Sequence, residues 1–88
     1  MRRPEVPPEY RLEGPFTGSS TNSGVVWYTI SRQSETSFNP LVRIRAYKNN
    51  INEAETYSHS KFGPQKIPFP DAESMVKWLE TVTALGEL

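Results

Sequence analysis

In the stretch LVRIRAYKNN, Leu41 to Asn50, apolar residues alternate with basic and aromatic residues. Successive side chains of a β-strand point to opposite faces of the sheet. One face of the stretch is apolar: Val42, Ile44 and Ala46. The other face carries two guanidinium groups and an aromatic ring: Leu41, Arg43, Arg45 and Tyr47. The stretch therefore predicts a strand whose second face is either solvated or binds something anionic and flat.

Several segments around this strand have the composition of further strands. VVWYTISR, residues 25–32, is rich in β-branched and aromatic residues and is the best strand signal in the chain. Both of its faces carry an aromatic residue, so the pattern leaves open whether Val26, Tyr28 and Ile30 or Val25, Trp27 and Thr29 face the core. Weaker patterns predict an edge strand over 10–16, a strand over 55–62 and a short strand over 66–69. KNNINEAE, residues 48–55, is typical of a hairpin connection.

The C-terminal segment has the pattern of an amphipathic helix that begins at Asp71. Asp71 can cap the first turn, and Gly86 is a suitable stop. Apolar residues recur at helical spacing on one stripe: Ala72, Met75, Val76, Leu79, Val82 and Thr83. We therefore predict an α+β fold, an antiparallel sheet of about four strands followed by one C-terminal helix packed on one face. Residues 1–9 are predicted to be a flexible Pro-rich tail, and residues 10–88 a single domain.

Composition narrows the class of function. The chain has 88 residues, a formal net charge of zero and no cysteine, which excludes disulfides, thiolate catalysis and cysteine-ligated metals. Its N-terminal sequence does not resemble a signal peptide, and no apolar run has the length of a membrane span, so we expect an intracellular protein, cytoplasmic or nuclear. The basic residues cluster in the middle of the chain, whereas residues 67–88 are acidic.

The basic and aromatic residues of the predicted sheet suit single-stranded nucleic acid, which needs cations for phosphates and flat groups for bases. The candidate residues are Arg43, Arg45, Lys48 and Lys66 for phosphates, and Trp27, Phe38 and Tyr47 for bases. The alternative is an ordinary solvated sheet face covered by long side chains.

Two other features suggest protein contacts. PPEY, with Pro7, Pro8 and Tyr10, matches the PPxY ligand pattern of WW domains. Trp78 lies at the border of the helix stripe, where it is either a core residue or a homodimer contact. His59 has no neighbours that would complete a catalytic or metal-binding set, and no phosphate-binding loop is present, so we predict neither enzymatic activity nor a cofactor.

Three segments resemble a known family. VRIRAY (42–47) resembles a strand of the PC4 (p15) transcriptional coactivator family, GPQKIPF (63–69) its turn and last strand, and DAESMVKWLETV (71–82) its C-terminal helix. PUR-type and Whirly-type domains share a similar plan. The resemblance implies binding of single-stranded DNA or RNA on a curved sheet by a dimer. It implies contacts to nucleic acid from Arg45 and Lys66, and stacking by Phe38. Lys48 stands where the family often has a second aromatic residue.

These observations predict a non-enzymatic protein that binds single-stranded nucleic acid through an open sheet face, in transcription regulation or replication, as a homodimer. The alternative prediction is a protein-interaction module, an inhibitor or a subunit, that acts through its Pro-rich tail or the edge of its helix.

Overall fold

The strand predicted from LVRIRAYKNN is the centre of the sheet, β3, Val42–Ala46. The computed structural model describes residues 1–18, 24–34, 39–47 and 51–88. Around β3 the sheet has four further strands, each antiparallel to its neighbours and in chain order: β1 Tyr10–Thr17, β2 Val26–Arg32, β4 Asn52–Thr56 and β5 Gln65–Phe69. The helix α1, Ala72–Ala84, follows. The α+β prediction is confirmed, with five strands where the sequence predicts about four.

The prediction for β4 is wrong in position. The sequence predicts a connection over 48–55 and a strand over 55–62, whereas β4 spans Asn52–Thr56 and residues 57–64 lie in turns and irregular structure. Only Thr56 in β4 is a strong strand former. The strand exists because β3 pairs with it, placing Glu55 opposite Arg43 and Glu53 opposite Arg45. Cross-strand pairing thus outweighs weak local propensity.

The core lies between α1 and one face of the sheet. On β2, Tyr28 and Ile30 belong to the hydrophobic core together with Ile44 and Val42, their partners on β3, so this face of the strand is the one turned to the core. Trp27 therefore points away from the helix. The other fully covered apolar residues come from the centre of the sheet, the helix and the C-terminal end: Leu41, Val42, Ile44, Ala54, Met75, Val76, Leu79 and Leu88.

The helix begins and ends as its sequence predicts. The backbone amide of Ser74 donates a hydrogen bond of 2.7 Å to the Asp71 side chain, which caps the first turn. This bond lowers the pKa of Asp71. The chain turns away at Gly86, whose φ of 67° favours glycine. The predicted apolar stripe packs on the sheet, with Leu79 fully buried.

Residues 1–9 have no regular secondary structure, yet they are held on the helix. Arg2 forms ion pairs with Glu73 at 2.9 Å and with Glu80 at 2.7 Å. The amide of Glu5 donates a hydrogen bond to Glu80, and Pro4 is buried. These contacts join the segment to the domain, and the flexibility that the sequence predicts for residues 1–9 stays a prediction.

Candidate nucleic-acid interface

The face of the sheet turned away from α1, here the open face, is set by the alternation of β2 and β3. Arg43 and Arg45 alternate with the buried apolar residues of β3, so both point away from the helix. Trp27 lies directly opposite Arg45 across the β2–β3 pair. Tyr47 follows β3, two residues beyond Arg45, and therefore continues the same face. Four predicted contact residues thus occupy one side of the molecule.

These four residues surround a shallow concavity. It has a volume of about 200 Å³ and is lined by Val25, Trp27, Arg43, Arg45 and Tyr47. All five lining residues are half-buried. Cationic, aromatic and aliphatic groups therefore converge on one hollow that opens to solvent.

Arg45 is neutralised in part by the neighbouring strand. Its Nη2 donates a hydrogen bond of 2.5 Å to Oε1 of Glu53 and lies 3.9 Å from Oε1 of Glu55. Its Cζ lies 5.8 Å from the ring centroid of Tyr47, within the range of a cation–π contact. The guanidinium is thereby held between a carboxylate and an aromatic ring at the rim of the concavity.

The two arginines share an unusual feature. The Nε groups of Arg43 and Arg45 are covered from solvent and have no hydrogen-bond partner within the described ranges. A buried donor without a partner costs about 1–3 kcal/mol. Neither Nε–H reaches an acceptor in this arrangement, so each could be satisfied only after its side chain rotates.

Glu55, the second carboxylate near Arg45, has a hydrogen-bond partner in Tyr57. The Tyr57 hydroxyl donates a hydrogen bond of 3.2 Å to Oε1 of Glu55. Burial raises the pKa of Tyr57, with the positive charge of Arg43 acting in the opposite direction. Tyr57 therefore stays protonated at neutral pH and remains a donor to Glu55.

The remaining predicted nucleic-acid contacts lie at the edge of the open face or outside the described residues. Lys66 is exposed on β5, opposite Glu55 across the β4–β5 pair, on the same face as the arginines but two strands away from Arg43. Phe38 and Lys48 lie outside the described residues.

Sequence reasoning missed three residues of this face. The ring of Phe16 packs beside Trp27, and Glu53 and Glu55 oppose the two arginines. The signal for the glutamates is present in the sequence, because the pattern Arg-x-Arg over 43–45 matches the pattern Glu-x-Glu over 53–55 in an antiparallel hairpin. Phe16 gave no such signal, because its place beside Trp27 depends on an irregular register between Glu13 and Phe16 in β1.

The PPEY segment is engaged within the chain. Tyr10 is 8% exposed and belongs to the hydrophobic core, while its backbone amide bonds to the carbonyl of Pro7. Pro8 is exposed and Pro7 is half-buried. A WW-type partner that binds the tyrosine side chain would have to remove Tyr10 from the core. This geometry therefore does not favour PPEY as a partner-binding motif.

Trp78 occupies an aromatic cluster at one edge of the core. Its ring lies 5.6 Å from that of Phe62 and 5.5 Å from that of Phe69. The side chain packs against the core but is only half-buried. Its predicted role in a dimer contact remains a prediction.

The described residues hold no group of three or more histidine, cysteine or acidic side chains placed to bind a metal ion. His59 is exposed. Within the described ranges, α1 is too short and too polar to cross a membrane.

Comparison of the chain with protein-family models, with curated proteins and with solved structures finds no match. The geometry of the open face is therefore the basis for assigning a function.

Proposed function

We propose that this protein binds single-stranded nucleic acid through the open face of its sheet and is not an enzyme. The observation that carries the proposal is the convergence of Trp27, Arg43, Arg45 and Tyr47 around one concavity. Cations for phosphates and rings for unstacked bases are the two requirements of single-strand binding. A role of this kind belongs inside the cell, in transcription regulation or replication.

The strand positions of Trp27 and Tyr47 suit one base between them. Trp27 and Tyr47 are diagonal neighbours, because Trp27 faces Arg45 and Tyr47 lies two residues further on. Diagonal side chains in an antiparallel pair are about 7–8 Å apart. This is roughly twice the 3.4 Å rise between stacked bases. A base held between the two rings would place its phosphates near Arg43 and Arg45.

The test is a titration that isolates Trp27. The chain has two tryptophans, so Trp78→Phe leaves Trp27 as the only one. We expect a single-stranded oligonucleotide of about 12 nucleotides to quench this emission and raise the anisotropy, more weakly at 200 mM than at about 50 mM salt. Duplex of the same sequence should bind less tightly. Flat titrations with single strands at both salt concentrations would overturn the proposal.

Charge-removing variants locate the site. Arg43→Gln and Arg45→Gln should each weaken binding and reduce the slope of log K against log salt by about 0.7. Lys77→Gln is the matched control, because Lys77 is exposed on α1, on the opposite side of the sheet. Equal effects of all three substitutions would mean that the open face is not the site.

We propose further that the protein acts as a homodimer in which the half-exposed Trp78 contributes to the contact. Light scattering should then give twice the 10.0 kDa mass of the chain. Trp78→Ala should shift this mass toward the monomer, whereas Trp27→Ala on the open face should not. A monomeric mass for the unaltered protein would refute the dimer without affecting the binding proposal.

A second candidate function is a protein-interaction module that uses the edge of the helix. Leu85 is 65% exposed, and a shallow surface beside it is lined by Lys77, Thr81 and Ala84. Ala84 and Leu85 are adjacent exposed apolar residues, and this candidate requires that they form part of a contact with a protein partner. Binding of a protein that survives high salt and is lost in Leu85→Lys, without affinity for nucleic acid, would favour this candidate.

A further inference from the structure

The ion pair between Arg45 and Glu53 is not a loose surface contact. The side chains are only 18% and 26% exposed, and the bond from Nη2 to Oε1 is 2.5 Å. The two residues face each other across the β3–β4 pair, so the backbone register keeps them adjacent. In the protein without ligand, Glu53 therefore lies within ion-pair distance of Arg45.

A carboxylate and a phosphate bind the same N–H donors of a guanidinium group. Both are anionic acceptors that take its N–H donors, often two at once. In Arg45, Glu53 accepts from Nη2, Tyr47 lies against the cation, and Nε is covered. A phosphate that reaches Arg45 must displace Glu53 or share the cation with it.

The other carboxylate near Arg45 is restrained differently. Glu55 lies 3.9 Å from Arg45 and accepts a hydrogen bond from the Tyr57 hydroxyl. Glu55 is also the cross-strand partner of Arg43. Of the two glutamates on β4, Glu53 is therefore the one positioned to compete for Arg45.

We propose that Glu53 is an internal competitor that mimics a phosphate at Arg45 and sets the affinity and salt dependence of the open face. The inference rests on the proposed function, since it assigns a specificity-determining residue to the same site. The open face is self-neutralised in the free protein, and only a ligand that also fills the concavity displaces Glu53. Glu53 thus disfavours binding by phosphate charge alone, as with duplex DNA, and favours single strands whose bases can stack.

The test compares three variants that each remove one negative charge. Glu53→Gln should bind a single-stranded oligonucleotide about 5-fold more tightly at low salt, from the usual size of such an ion pair. The slope of log K against log salt should steepen by about 0.7, because one more phosphate is neutralised. Duplex binding should gain by a larger factor than single-strand binding, which lowers selectivity.

Two control variants separate competition at Arg45 from a general change of charge. Glu13→Gln removes a charge from the same face, where Glu13 lies opposite Thr29 and forms no ion pair with another described residue. Glu55→Gln removes the more distant carboxylate. Both should gain less affinity than Glu53→Gln. Thermal unfolding of each variant checks the fold, and Glu53→Thr, which keeps strand propensity, replaces Glu53→Gln if that variant is unstable.

The outcomes distinguish the inference from the function on which it rests. A larger gain in affinity in Glu53→Gln than in either control variant supports it. An unchanged affinity in Glu53→Gln, or an equal gain in Glu13→Gln or Glu55→Gln, overturns the inference while the binding function stands. If neither the unaltered protein nor Glu53→Gln binds single strands at low salt, both proposals are refuted.

Discussion

The ring of Phe16 packs against the ring of Trp27, with centroids 5.7 Å apart and planes inclined by 30°. Phe16 lies on β1 and Trp27 on β2, so the contact joins the edge of the sheet to the concavity on the open face. Phe16 is 37% exposed and holds one side of the Trp27 ring. The orientation of Trp27 toward a ligand therefore depends on an edge strand that the sequence marks only weakly.

Removal of the Phe16 side chain should change the environment of the Trp27 ring more than it changes the stability of the fold. We expect Phe16→Ala to shift the Trp27 emission to longer wavelength and to weaken single-strand binding by about 0.5–1.5 kcal/mol, the usual value of an aromatic pair. Fluorescence of Phe16→Ala in a Trp78→Phe background measures both the emission wavelength of Trp27 and the binding affinity. Phe62→Ala, made in the protein that keeps Trp78, removes a partner of that ring instead and should leave single-strand affinity unchanged.

Replacement of Trp27 or Tyr47 should remove one of the two proposed stacking surfaces. Trp27→Ala and Tyr47→Ala should each weaken single-strand binding by about 1–3 kcal/mol. The salt slope should stay the same, because neither ring carries a charge. Anisotropy titrations with a labelled oligonucleotide at several salt concentrations give both quantities. A changed slope with unchanged affinity would contradict the assignment of these rings to bases.

Gly14 should not tolerate a side chain. Its φ is +129°, and a Cβ atom there would lie 2.8 Å from Cδ1 of Tyr28 and 2.9 Å from the carbonyl oxygen of Trp27. Gly14→Ala should therefore lower the free energy of unfolding by about 1–3 kcal/mol, from backbone strain and overpacking together. Gly63→Ala is the control, because Gly63 has a positive φ but no atom within 4 Å of the added Cβ. Urea unfolding should show a smaller loss for Gly63→Ala.

Acid should loosen the attachment of the N-terminal segment to α1. Hydrogen bonds from Arg2 lower the pKa of Glu80 from its usual 4.5 to about 2, and the pKa of Glu73 falls for the same reason. Because the folded pKa is below the unfolded one, the stabilisation is complete above about pH 4.5 and disappears as the pH falls toward 2. Stability measured against pH should therefore fall less steeply over this range in Arg2→Gln. Parallel curves of stability against pH for the unaltered protein and Arg2→Gln would show that this contact does not contribute to stability.

The sequence by itself determined the elements whose signals are local. Asp71 caps the helix and Gly86 ends it because their conformational preferences act within one turn. The alternation of Arg43 and Arg45 with apolar residues placed both on one face of a strand, because a strand has a period of two. These local rules also predicted the order of sheet and helix.

Only the tertiary structure decided features that depend on partners distant along the chain. The covered face of β2 followed from which side chains pack under α1, since both faces carry an aromatic residue. Tyr10 lies in the core, although the PPEY pattern in the sequence suggests an accessible partner motif. Glu53 met Arg45 because the β3–β4 register aligned them, in a strand with little propensity of its own. Register and burial are properties of the assembled sheet, so no single segment encodes the charge balance of the open face.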